Sequence, residues 1–141
     1  MRKRLIGILG TALLLSCLCG CSRDKTQEAQ GAASEWLKLV DSGNYAQSWD
    51  EAADLMKSNV AKEQWLEILN RNRAPLGLLL SRKLTSAEYR GSIPGVPAGE
   101  YVVLQYESSF QNKGSVLETV ETATPTVDKN GRWRVSVYYI R

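Results

Sequence analysis

The hydrophobic period changes once along this chain, at Gly77, and that switch limits the fold more than any other feature. Before Pro75 apolar residues recur every three or four positions, the spacing of one helix face; beyond Gly77 they recur every second position, the spacing of one sheet face. Helices first and strands afterwards predict an α+β domain, with three N-terminal helices packed on one face of a curved four-stranded antiparallel sheet.

The first helical pattern places Ala29, Ala32, Ala33, Trp36, Leu37 and Val40 on one face, and Asp41-Ser42-Gly43 ends it with a capping glycine. Asn44 is placed to cap the next helix with Gln47 as its capping-box partner; that helix presents Tyr45, Trp49, Ala52, Ala53 and Met56. A third, over about residues 61–73, presents Trp65, Leu66 and Leu69 and stops at Pro75. Four strands follow: "LLLSRKLTSAEYR", "EYVVLQYESSFQ" with Val102, Leu104, Tyr106 and Phe110 on one face, "SVLETVETATPTV" and "RWRVSVYYI". In the last, Trp133, Val135, Val137 and Tyr139 alternate with Arg132, Arg134, Ser136 and Tyr138. "QNKG" and "DKNG" supply the glycine turns between strands two and three and between three and four, and "SIPGVPAG" is a longer loop before strand two.

The N-terminus belongs to a different kind of segment. Arg2, Lys3 and Arg4 precede an apolar run to Leu18, followed by small residues, the layout of a secretory signal peptide. The run is shorter than the roughly 20 residues of a spanning helix and lacks a positive stop-transfer flank. All three cysteines, Cys17, Cys19 and Cys21, lie here. Their spacing is not that of a zinc site, and the chain has no histidine to complete one. Leu18-Cys19-Gly20-Cys21 resembles the lipobox of bacterial lipoproteins, with Cys19 where Ala or Ser is more usual; a second register, Leu14-Leu15-Ser16-Cys17, places bulky Leu15 where a small residue is preferred. The resemblance implies cleavage after Gly20 and thioether lipidation of Cys21, hence attachment to the membrane. With Ser22 following the cysteine, it further implies a cell-envelope protein in the outer membrane, facing the periplasm, in a Gram-negative cell.

On this reading residues 1–20 are the signal, residues 21–28 a short tether and residues 29–141 one domain. The tether "SRDKTQE" reaches roughly 25 Å when extended, so the domain sits close to the membrane. Loss of the signal leaves 15 Lys+Arg against 15 Asp+Glu, so the basic balance of the whole chain belongs to the signal. No basic stripe with interleaved aromatics points to nucleic acid.

Within the domain, "EWLKLVDSGNYAQSWDEAA", "EQWLEILNRNRAPLG", "PGVPAGEYVVLQYESSFQNK" and "NGRWRVSVYYI" stand in the order that is similar to an uncharacterised lipoprotein family, domain of unknown function 4019. That resemblance brings no activity with it. Helix-then-sheet order also resembles the wider cystatin-like and nuclear-transport-factor-2-like folds, some of which hold a small ligand between helices and sheet.

For candidate binding residues, a turn centred on Asn112-Lys113 places Glu107 opposite Glu118, with Arg82 near by. They read either as a charged binding patch or acid/base pair, or as a solvated outer face with a weak surface ion pair. Tyr138 and Tyr139 fall on opposite faces, so one lies outside the core; Tyr138, in phase with the arginines, is the candidate for a partner surface. The four tryptophans occupy apolar phases and read as core. Without histidine or, after processing, a free thiol, no Ser-His or Cys-His arrangement, metal cluster or cofactor motif is available. The expectation is a non-enzymatic binding or interaction module with an envelope protein partner. The alternative is a small-ligand pocket protein, with or without isomerase-like chemistry through Tyr45 and Asp50 or Asp54, although helical spacing puts Asp50 off the Tyr45 and Trp49 face.

Overall fold

A computed structural model describes residues 20–141, with side chains from Asp24 onward. The signal-peptide and lipobox expectations, including the Cys21 sulfur, fall outside these described residues. Four helices, α1 (Gly20–Asp41), α2 (Tyr45–Asp50), α3 (Asp54–Asn59) and α4 (Lys62–Asn72), precede a 3-10 turn at Ala74–Leu76. Strands β1 (Leu78–Arg90), β2 (Tyr101–Asn112), β3 (Ser115–Val127) and β4 (Trp133–Ile140) then form one antiparallel sheet in the order β1-β2-β3-β4. Among the described residues no helix is long and apolar enough to cross a membrane.

The α1 face buries Ala29, Ala33, Trp36, Leu37 and Val40 against Val102, Leu104 and Tyr106 of the sheet. The helix ends as its sequence dictates: Gly43, at φ +78°, donates to the Val40 carbonyl and Asn44 donates to that of Leu39, which satisfies the last carbonyls of the helix. Its start differs from expectation. Residues 24–28 continue the helix and are fixed to the sheet, because Lys25 pairs with Glu100 and the Trp133 indole donates to Glu28 at 3.3 Å.

The expected second helix is two short ones, parted at Ala52-Ala53. There the Ala53 N–H leaves the helical ladder and donates to the Val135 carbonyl of β4 at 2.9 Å. Pro125 of β3, paired with Val135, has no N–H to give that carbonyl, so the helix break completes the sheet. Capping also differs. Asn44 makes no side-chain cap and instead donates to Ser42, while Gln64 of α4 accepts from the Ala61 N–H at 3.1 Å.

The switch from helix to strand at Gly77 has a steric cause. Gly77 adopts φ +80° and ψ −140°, and a Cβ there would lie 2.2 Å from the Gln111 carbonyl oxygen. Gly43 shares the positive φ but faces open space. Gly43→Ala is therefore expected to cost about 1–2 kcal/mol, the left-handed strain alone. Gly77→Ala adds a backbone clash and is expected to exceed it by about 2 kcal/mol or more. Urea unfolding of the two variants checks this, and equal losses would show that the backbone gives way at Gly77.

Candidate functional site

Six side chains, one from each of six segments of chain, meet where the helices cover the sheet. Glu121 of β3 is fully buried, and its inward position follows from register, since it pairs with Tyr106 of β2 and Ile140 of β4. Its Oε1 accepts from Tyr138 Oη at 2.5 Å and Arg82 Nη2 at 3.0 Å; its Oε2 accepts from Arg82 Nε at 2.6 Å and from Ser108 Oγ. The Arg82 fork turns its outer edge to Asp41 at the end of α1, with Nη1 to Oδ2 at 2.7 Å and Nη2 to Oδ1 at 2.9 Å. Arg73, beyond the end of α4, donates to Asp41 at 3.2 Å and to the Gly77 carbonyl at 2.8 Å, and lies over the Phe110 ring.

Two guanidinium groups and two carboxylates thus balance in a place where a lone charge is prohibitive. The same geometry sets proton affinities. Burial acts to loosen the Arg82 proton, but the hydrogen bonds to Asp41 and Glu121 outweigh it and hold the guanidinium charged. Burial, then the neighbouring Glu121 charge, push the Tyr138 phenol well above its ordinary range, and burial raises Tyr106 to about 12.

The sequence candidates are distributed differently from expectation. Arg82 joins this cluster, but Glu107 and Glu118 do not. The β2–β3 turn is centred on Lys113-Gly114, with φ values of +49° and +83°, one residue later than predicted. Glu107 therefore faces Val120 and Glu118 faces Ser109; both carboxylates are exposed, and Glu118 accepts from Ser109 Oγ at 2.7 Å. Tyr138 is not a surface tyrosine: it is 8 % exposed, and Tyr139 is the one outside. A bulge opposite Thr124 and Pro125 shifts the phase of β4, so Trp133 and Val135 face inward before it, and Tyr138 and Ile140 after it.

Asp41, Arg73 and Glu121 were missed. Asp41 reads as helix-ending chemistry and Arg73 as an exposed helix terminus. Glu121 sits in phase with Ala123, the only signal available. Trp36 and Trp65 are core, packed on Tyr138 at centroid distances of 5.4 and 6.4 Å, with both indoles bonded to Ser48. Trp49 and Trp133 lie at the rim, half-buried. The Tyr45 and Asp50 pairing finds no support, because exposed Asp50 binds Lys62 at 2.8 Å.

Among the described residues no group of three or more His, Cys, Asp or Glu side chains is arranged to hold a metal ion. Of the cluster, only the Tyr138 ring lines any of the principal clefts.

Removing one partner of this buried ionic network, in which Arg73 Nε is already without a hydrogen-bond partner among the described residues, leaves the others uncompensated. Glu121→Gln is expected to destabilise the domain by about 3–5 kcal/mol in urea unfolding, against about 0.5 kcal/mol or less for Glu107→Gln or Glu118→Gln. A second expectation concerns alkaline pH. A tyrosine pKa raised by folding gives stability that is complete below the unfolded value near 10 and is lost as pH rises toward the folded value. Tyrosinate absorbance from Tyr106 and Tyr138 should therefore appear only together with loss of the circular dichroism signal. Ionisation of both in an intact fold would contradict the burial assigned to them.

A search of curated proteins returns no match. The family described as a protein of unknown function (DUF4019) matches residues 32–138, from the middle of α1 to the tyrosine that closes the buried cluster, and the chain belongs to that family.

Proposed function

We propose that the protein is a non-enzymatic, lipid-anchored module of the bacterial cell envelope that binds a protein partner or another envelope component. The observation that carries this reading is the full engagement of the buried carboxylate Glu121. Fully buried Glu121 has both oxygens engaged by Arg82, Ser108 and Tyr138, so it has no free oxygen to offer a substrate. Recognition then falls to the surface, where Val120, Val137 and Tyr139 are exposed on the outer face of the sheet. The order of helices and strands supports kinship with the cystatin-like and nuclear-transport-factor-2-like folds.

The lipobox-like Leu18-Cys19-Gly20-Cys21 supports lipidation of Cys21, and Ser22 supports retention in the outer membrane, facing the periplasm. Attachment is then more rigid than a tether gives. Because α1 runs without a break from Gly20 and its first turns are held by Glu100 and Trp133, the lipid and the sheet share one stiff connection. The end of the sheet carrying residues 91–100 faces the bilayer.

Two measurements in cells test this. An alkyne-tagged fatty acid should label the wild-type protein and not Cys21→Ala. Crosslinking followed by mass spectrometry should recover envelope components from the wild type that Cys21→Ala fails to capture. An unlabelled wild type, or the same partners on the variant, sinks the anchored reading.

A further inference from the structure

The connection between β1 and β2, residues 91–99, contains no Asp, Glu, Lys or Arg, although charged residues stand at both of its borders, Arg90 and Glu100. Its tip is a closed turn. The Val96 N–H donates to the Ile93 carbonyl at 3.3 Å, with Pro94 in the second position and Gly95 at φ +81° in the third, the residues and the sign of φ that a type II turn requires. Pro94 and Gly95 are exposed, and Ile93 and Val96 half-buried. The base of the loop is fixed as well: Tyr101 Oη donates to the Pro97 carbonyl at 2.6 Å, and Glu100 accepts from Tyr89 Oη at 2.9 Å and pairs with Lys25 of α1. A loop tied in this way has little further freedom to lose when something meets it.

Lys25 also sets where this loop stands relative to Cys21, which precedes it by four residues of continuous helix, about 6 Å along the axis. On the anchored reading, which this inference needs, a lipid on Cys21 enters the bilayer within about one or two helical turns of the base of the loop. The cations at this end of the sheet are matched by acids, Lys25 by Glu100, Arg90 by Glu88 and Arg132 by Asp128, so charge is not what this end offers a membrane. What it offers is an uncharged segment, which enters a headgroup layer without the desolvation cost that an ionised side chain carries.

We propose that the turn at residues 93–96 is a second membrane contact, seated in the headgroup layer beside the lipid on Cys21. The partner is the bilayer surface itself, met through an uncharged, pre-shaped turn. A contact of this size would not hold a free protein at a membrane. Next to an inserted lipid it is enough, because tethering supplies an effective concentration on the order of mM. Lipid and turn together give the domain two points of attachment, which fix its orientation where one would leave it free to swing. That orientation holds the β2–β3 turn, at the opposite end of the sheet, away from the bilayer and leaves exposed Val120, Val137 and Tyr139 open to a partner.

The experiment couples the mature chain, whose one thiol is Cys21, to vesicles of phosphatidylethanolamine and phosphatidylglycerol that carry a maleimide lipid. Hydrogen exchange is compared with that of the same chain capped at Cys21 by a soluble maleimide. Amides of residues 91–99 should exchange about fivefold more slowly on the vesicle, and those of residues 112–115 at an unchanged rate. Pro94→Asp should remove the protection and Pro94→Ala retain it, with equal Tm in the two variants because the position is exposed. Salt at about 1 M, where the screening length is about 3 Å, should leave the protection in place. The proposal fails if residues 91–99 exchange alike in both forms, if residues 112–115 are protected equally, if the two Pro94 variants behave alike, or if salt abolishes the effect. Because the coupling is chemical, the vesicle result stands apart from processing in cells: a wild type that takes up no fatty acid there overturns the anchored reading, and an unprotected turn on the vesicle overturns this one.

Discussion

The fold depends on the pairing of Arg82 with Glu121. A carboxylate with no exposed surface is tolerable only when its charge and lone pairs are met by groups already in place. Here the groups come from every layer: Arg82 from β1, Ser108 from β2, Tyr138 from β4, and Asp41 of α1 through the far edge of the guanidinium. Arg73 carries the chain of contacts on to α4 and to the Gly77 carbonyl, where helix gives way to strand. Hydrophobic burial brings these elements together without direction, whereas a two-sided guanidinium fork accepts only one arrangement of α1 over the sheet. The cluster contributes uniqueness of packing at least as much as it contributes stability.

A second constraint, Pro125, delivers Tyr138 to that centre. Proline in a strand withholds one ladder donor, and β4 responds with a bulge that reverses the facing of every later residue. Without the bulge, strict alternation from Trp133 and Val135 would point Tyr139 inward and Tyr138 outward. The same missing donor exposes the Val135 carbonyl that Ala53 satisfies, so one imino acid shapes the strand, the break between α2 and α3, and the aromatic cap of the buried carboxylate.

Much of the architecture was legible because period and turn chemistry are local. The bounds of β1 and β3 were visible from their alternation and flanking glycines, and the change of class at Gly77 from period alone. The features that escaped depend on contacts between segments remote in sequence. Glu121 carries no mark that separates it from Glu118 three residues earlier; only register tells which is sealed inside. Moving the β2–β3 turn by one residue moved every partner across that ladder by two, which kept the faces and dissolved the pairing of Glu107 with Glu118. The first turns of α1 are polar on all sides, so no apolar stripe announces them, and they are held by Glu100 and Trp133 from far along the chain.

The distribution of polar groups separates two regions within the one domain. Between helices and sheet, buried charges are paired, although Arg73 Nε has no hydrogen-bond partner among the described residues, and Phe110, Leu104, Leu37 and Val40, all under 2 % exposed, pack the interior. Across the sheet and around the β4 edge, the walls are apolar, space remains, and the Thr122 hydroxyl is unmatched. A domain that recognised ligands through its ionic centre would have to open that network and bear the cost of desolvated charge each time. Space outside the network avoids this: Tyr138 lines the cleft at the β4 edge and donates its hydroxyl to Glu121.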